Sequence, residues 1–272
     1  MIVINNFENI YPEETLRYCN WERFNDTAID CVLFNGGPQH TKEDFGDLPK
    51  ILLYFEEQTW DLDSTETHVP DVDKILTILP MRISGRYNKR VSTFYPTNEE
   101  IIAAVHDSKP EKNYDVIYTG TLRAGGDHLH KIINTIPKFN HRWVSFDPHP
   151  AVTNSHITYF EKLRLIAESK IDVCHGLVGN GTPQTKSRYF EAAFCKSLIL
   201  IHSDQWNIIE DWFTPGEDFL YWSTEQELED LIADVVSDYD SYLPIVESAY
   251  QKAMAEYTTA RFVEKYIGFK DV

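Results

Sequence analysis

An α/β fold of two parallel-sheet domains is what the sequence predicts, and three observations carry that prediction. Short apolar runs alternate with segments of helical period along the chain. Several of these runs are continuously apolar, as expected for strands covered on both faces. The length, 272 residues, suits two domains of about 100–150 residues each better than one.

Taken in order, "IVI" (2–4), "DCVLFNGG" (30–37), "KILLYFEE" (50–57) and "DKILTIL" (73–79) read as strands. Between the first two, "YPEETLRYCNWERF" opens on a proline and two glutamates and then spaces its apolar residues as a helix does. The polar, proline-containing "SKPEKN" (108–113) predicts a junction, dividing the chain into domains 1–107 and 108–272. Beyond it, "YDVIYTGTL" (114–122), "HRWVSFD" (141–147), "KIDVCHGLV" (170–178) and "SLILIHS" (197–203) read as strands. They are separated by the helical patterns "GGDHLHKIINTIP", "TYFEKLRLIAES" and the segment opening at Thr185. Such alternation predicts parallel sheets with right-handed crossovers, so each half reads as Rossmann-like. The chain closes on "EQELEDLIADVVSDY" and the long helical pattern "YLPIVESAYQKAMAEYTTARFVEKYI", whose apolar spacing lets it cross back to the first domain.

Composition narrows the function classes. A chain that is 42% hydrophobic and 13% aromatic builds well-formed cores. The net charge of −18 argues against a nucleic-acid footprint and against docking on anionic lipid. No window approaches the roughly 18–20 apolar residues of a membrane span. The start "MIVINNFENIY" lacks a basic region followed by an apolar run. Cys19, Cys31, Cys174 and Cys195 form no C-x-x-C pair and read as free thiols. The expectation is a soluble cytoplasmic protein.

Doubly wound sheets take ligands at the carboxyl ends of their strands, and two stretches leave strands there. In "TKSRYFEAAFCKSLILIHSD" (185–204), Arg188 and Glu191 lie three apart on one helix face. A surface ion pair of about 0.2–0.5 kcal/mol is one reading. Yet Lys186 and Arg188 in a first helical turn oppose the helix dipole, and a bound anion explains them. A carboxylate one turn deeper suits the vicinal hydroxyls of a ribose. "YTGTLRAGGD" (118–127) repeats the logic with Gly120, Thr121 and Arg123, although it matches neither G-x-G-x-x-G nor G-x-x-x-x-G-K-[ST].

Other candidates carry less. Glu56 and Glu57 end a strand and offer an acceptor-side base, or a solvated strand end. Asp61 and Asp63 form a D-x-D, a pattern frequent by chance among 43 acids, as in "DVD" at 71–73. "RISGRYNKR" (82–90) reads as a solvated basic loop or an anionic-acceptor contact. His128 and His130, two apart, diverge on a helix and make a poor metal pair. His175 and His202 end strands, either packed or beside a ligand.

Arg188, Phe190, Glu191 and Ala192, then "SLILI", then Phe213, Pro215, Gly216 and Glu217, then Glu227 and Leu228 form an ordered set. Over roughly residues 114–267 this set resembles the C-terminal half of group 1 glycosyltransferases, closest to their CgeB-like spore-maturation branch. The resemblance implies a GT-B fold, two Rossmann-like domains facing a central cleft. It implies transfer from a nucleotide-diphosphate-sugar donor to a glycan or other hydroxyl acceptor, with no separate cofactor and no metal. Glu191 would hold the donor ribose, and Arg188 with Arg123 the diphosphate. The chain departs from the pattern at Pro183, where many relatives carry a second glutamate, and at Lys196-Ser197, where they carry glycine. Those departures keep open a second function, a degenerate relative that binds nucleotide or glycan without turnover.

Overall fold

The computed structural model describes residues 2–5, 31–35, 47–54, 72–87, 89–121, 126–178 and 181–268. The helix expected over 11–24, the glutamates at 56 and 57, the aspartates at 61 and 63 and the arginine at 123 lie outside them. The chain divides into two compact units, Met1–Asn98 with Tyr257–Val272, and Glu99–Glu256.

The first unit holds five parallel strands, β1 (Ile2–Asn5), β2 (Val32–Asn35), β3 (Lys50–Tyr54), β4 (Lys74–Thr77) and β5 (Arg90–Ser92). They lie side by side in sequence order. Val32, Leu52, Val72 and Ile75 pack as its core. The segment after Tyr257 belongs to this unit. Phe94 meets the rings of Tyr257, Phe262 and Tyr266 at centroid distances of 5.1, 5.4 and 5.5 Å. Lys74 Nζ donates to the Tyr266 carbonyl at 2.8 Å.

The second unit opens with α1 (Glu99–Asp107), ahead of the polar stretch 108–113, and continues with β6 (Tyr114–Thr119), α2 (Asp127–Thr135) and β7 (His141–Val144). There follow α3 (Tyr159–Ala167), β8 (Ser169–Cys174), α4 (Ser187–Phe194) and β9 (Leu198–His202). The unit ends with β10 (Leu220–Trp222), α5 (Glu225–Ser237) and α6 (Leu243–Glu256). Its strands are all parallel, in the order β10-β9-β8-β6-β7. Val116, Ile171, Val173, Leu198 and Leu200 are fully buried in the sheet, as their continuous apolar runs require. Local signals agree with the elements: Thr158 and Glu161 close a capping box on α3, and Thr224 caps α5.

Two differences from the sequence reading are physical. Strands β5 and β10 are three residues long, too short for a periodic pattern to register. The helical pattern over 242–267 divides at Tyr257, because the Thr258 hydroxyl accepts from the Arg261 N–H and starts a new helix, Thr259–Phe262. Among the described residues, no helix is long and apolar enough to cross a membrane.

Candidate functional site

In the second unit the chain steps from β6 outward to β7, then returns across β6 to β8. The gap between β6 and β8 is therefore a topological switch point, where a crevice opens at the carboxyl ends of the strands. The strand ends that flank it, Tyr118 to Gly120 and His175 to Gly176, supply the site. The described strands of the first unit run in sequence order and have no such reversal.

Gly120 follows β6, at a point where a side chain would crowd two others. A Cβ at this position would lie 2.7 Å from Arg188 Nη1 and 2.8 Å from the Tyr118 hydroxyl. The arginine reaches it from the first turn of α4, its guanidinium carbon 5.4 Å from the Tyr118 ring centroid. No side chain caps that helix: Lys186 is its N-cap residue, and its Nζ donates instead to Gln184 Oε1 at 2.7 Å. The hydroxyl of Thr185, expected to open the helix, accepts from Trp212 Nε1. The amino end of α4 thus presents N–H groups and its dipole without a capping oxygen.

Four buried polar atoms around this edge have no hydrogen-bond partner in the protein: Thr119 Oγ1, His128 Nε2, Arg188 Nη1 and Tyr189 Oη. Buried polar groups are rarely left so. Their convergence at one sheet edge makes it the candidate site.

Glu191 behaves differently from its neighbour. It is 1% exposed, and its carboxylate accepts from Lys162 Nζ at 2.6 Å and from the Tyr159 hydroxyl at 3.1 Å, both on α3. Below it on β8, Asp172 is wholly buried, and its carboxyl is raised to about 8 by burial, with Arg188 opposing and Glu191 reinforcing. Asp172 is therefore held protonated at neutral pH. The face read as either an Arg188–Glu191 ion pair or a ligand clamp sends the arginine to the strand edge and the glutamate inward to Lys162.

Behind the arginine stands a column of imidazoles. His128 lies 4.5 Å from His175 and 5.5 Å from His202 between ring centroids, and His202 packs edge-on against Trp222 at 4.7 Å. Burial lowers His128 and His202 to about 4 and takes His175 well below its ordinary value, so all three are neutral. The unfolded chain takes up three protons as pH falls through about 6.5, while the folded protein refuses them down to about 4. That stabilisation is present above pH 6.5 and is lost on acidification. Asp172 works in the opposite sense, losing stability as pH rises from about 4 towards 8. Three groups outweigh one, so the thermal midpoint should fall between pH 6.5 and 5, and His202→Gln should flatten the slope. A midpoint that is level or rises over that range refutes the neutral column.

A cavity of about 650 Å³ lies at the other end of the strands, lined in part by Lys112, Lys196, Leu243 and Glu247. Its half-buried lysine serves the fold, for Lys112 Nζ donates to the carbonyls of Ser169 and Lys196 at 2.7 and 2.6 Å. Among the described residues, no cluster of three His, Cys, Asp or Glu is arranged to hold a metal.

A family model described as glycosyl transferase-like matches residues 99–268, more than half of the chain. The protein belongs to the glycosyl transferase-like family. No curated protein matches this family member in sequence, but solved structures match it in fold. Anabaena HepE in complex with UDP-glucose superposes with a TM-score of 0.57 at 9% identity, covering 88% of this chain and 76% of that one. Sucrose-phosphate synthase from Thermosynechococcus elongatus gives 0.56 at 10%, covering 91% and 73%. Phage T4 BGT in complex with its UDP-glucose substrate gives 0.52 at 11%, covering 90% and 83%. The fold is GT-B, with two Rossmann-like parallel sheets.

Of the residues that the sequence singles out in this glycosyl transferase-like chain, Gly120 and Arg188 meet at the switch point. Thr121 follows Gly120 and is exposed. Lys186 sits at the uncapped helix end, and Glu191 is turned away into the ion pair. Tyr118 and Lys162 carry no signal in the sequence beyond their places on a strand and a helix. Each matters through a partner more than 25 residues away.

Proposed function

We propose that this chain transfers a sugar from a nucleotide-diphosphate-sugar donor to a hydroxyl of a glycan or another acceptor. One observation carries the proposal: Arg188 Nη1 is buried, without an acceptor, over Gly120 at the switch point. Leaving a polar donor buried and unfilled costs about 1–3 kcal/mol. Proteins bear such a cost at functional sites, where a ligand supplies the missing oxygen. A diphosphate supplies it, and the amino end of α4 favours the same charge. The complexes of HepE and of the phage T4 protein hold UDP-glucose, which makes a UDP-sugar the first donor to try.

In this reading, charge that develops on the departing diphosphate is met by Arg188, Lys186 and Arg123, with Gly120 and Thr121 forming the turn beneath it. Glu56 and Glu57 are the acceptor-side base candidates, in the domain read as 1–107. Donor chemistry belongs to the domain read as 108–272. The CgeB-like branch rests on the ordered set from Arg188 to Leu228. Glu191 is read as the ribose contact, but at 1% exposure it meets a hydroxyl only if its neighbours give way.

The test is a thermal-shift screen of UDP-, GDP-, ADP-, CMP- and dTDP-sugars. A donor at a hundred times its Kd adds about 2.7 kcal/mol of stability. No shift with any of them overturns the proposal. Protein cations are expected to suffice for the diphosphate, so donor binding should survive EDTA. Loss on chelation with recovery in Mn²⁺ would move the role to Asp61 and Asp63.

A second reading, binding without turnover, is favoured by one detail. Pro183 is buried and pairs with Leu177 in a β-bridge, a structural use of the position where many relatives carry a glutamate. Release of nucleoside diphosphate from the donor identified in the screen separates transfer from binding alone.

A further inference from the structure

Beside Arg188 runs a chain of hydrogen bonds that begins at a backbone carbonyl. His175 Nδ1 lies 2.8 Å from the Leu177 carbonyl oxygen. A carbonyl only accepts, so Nδ1 carries the proton and Nε2 of the neutral ring is a bare lone pair. Nε2 lies 3.0 Å from the Tyr118 hydroxyl, and with that lone pair it can only accept, so the phenol donates to it. The Tyr118 proton is thereby committed, which leaves its oxygen an acceptor towards its other neighbours. The Arg188 guanidinium carbon lies 5.4 Å from the Tyr118 ring centroid. The hydroxyl and Nη1 both crowd the space a Cβ on Gly120 would fill. Trp143 holds the ring from behind, edge-on at 5.0 Å, and its Nε1 donates to the Gly120 carbonyl at 3.3 Å.

We infer that His175 and Tyr118 are positioning residues. The Leu177 carbonyl sets the His175 tautomer, His175 orients the Tyr118 hydroxyl, and the phenol oxygen holds the guanidinium over Gly120 with Nη1 open to a ligand phosphate. The inference rests on the donor reading above and adds a selectivity to it. The chain of bonds serves the diphosphate, not the nucleoside. Without the phenol oxygen the guanidinium gains rotamers, and a ligand must fix them on binding.

Calorimetric titration with UDP and with uridine tests this in the wild type, Tyr118→Phe, His175→Leu and His175→Gln. Tyr118→Phe keeps the ring against Trp143 and should weaken UDP about five- to tenfold, the worth of ordering one long side chain. Uridine affinity should stay unchanged, and the thermal midpoint should remain within a few degrees. His175→Leu should match that loss, and His175→Gln, which restores an acceptor, should recover part of it. Should the leucine variant fail to fold, Tyr118→Phe alone decides. A merely structural role would lower the midpoint and weaken both ligands alike, and an unchanged UDP-to-uridine ratio in Tyr118→Phe overturns the inference while the donor reading stands. A wild type that binds no nucleoside diphosphate overturns both.

Discussion

Glu191→Gln should cost about 3 kcal/mol of stability, against the few tenths that an exposed helix pair would lose. The carboxylate is 1% exposed and Lys162 17%, so removing the anion strands an ammonium in a site with little water. Glutamine preserves the shape and can still accept from Tyr159, so the loss isolates the charge. For a chain of this size, 3 kcal/mol lowers the thermal midpoint by about 6–12 °C. The double variant Lys162→Met/Glu191→Gln should recover much of that loss, because the buried ammonium goes with its partner. A loss under 1 kcal/mol accompanied by weaker donor binding would return Glu191 to the ribose and remove the ion pair from its structural role.

Arg188→Ala is expected to do the reverse. Its Nη1 makes no hydrogen bond in the protein, so truncation discards an unfilled donor along with the contact to Tyr118. The two effects oppose each other, and stability should change by less than about 1 kcal/mol. Affinity for a nucleoside diphosphate should fall about ten- to hundredfold, the worth of 1.5–3 kcal/mol in charge-assisted bonds. Affinity for the nucleoside should be nearly unchanged. Equal affinity of wild type and variant for UDP, the first donor nucleotide, would remove Arg188 from the site. On these expectations two side chains three residues apart separate, one stabilising the fold and the other proposed to meet a ligand.

That separation marks how far the sequence could be read. Strands β6, β8 and β9 were legible because their apolar runs reflect burial on both faces, which leaves a mark in every residue. Gly120 and Arg188 could be picked out because a glycine after a strand and a cation at a helix start are local violations with a chemical reason. The direction of Glu191 was not legible. It depends on Lys162, 29 positions earlier, and on how α3 and α4 lie against one another. The tautomer of His175 was likewise hidden, since it is set by a turn carbonyl and read out on a neighbouring strand. Pairings across elements leave no periodic trace, and the parts of the site that work through pairs escaped for that reason.

The first compact unit is discontinuous, since it takes up the chain again at Tyr257. Phe94 has no partner from that segment until Tyr257, Phe262 and Tyr266 have been made. On a ribosome, at about 5–20 residues per second, the 158 residues from 99 to 256 take roughly 8–32 s to emerge. For that interval the N-terminal strands wait for their closing aromatic cluster. The unit encoded second is continuous, so all its residues are made before the last segment of the first unit. A stalled or clipped product lacking the residues after Glu256 would hold the whole of the second unit and an unfinished N-terminal sheet.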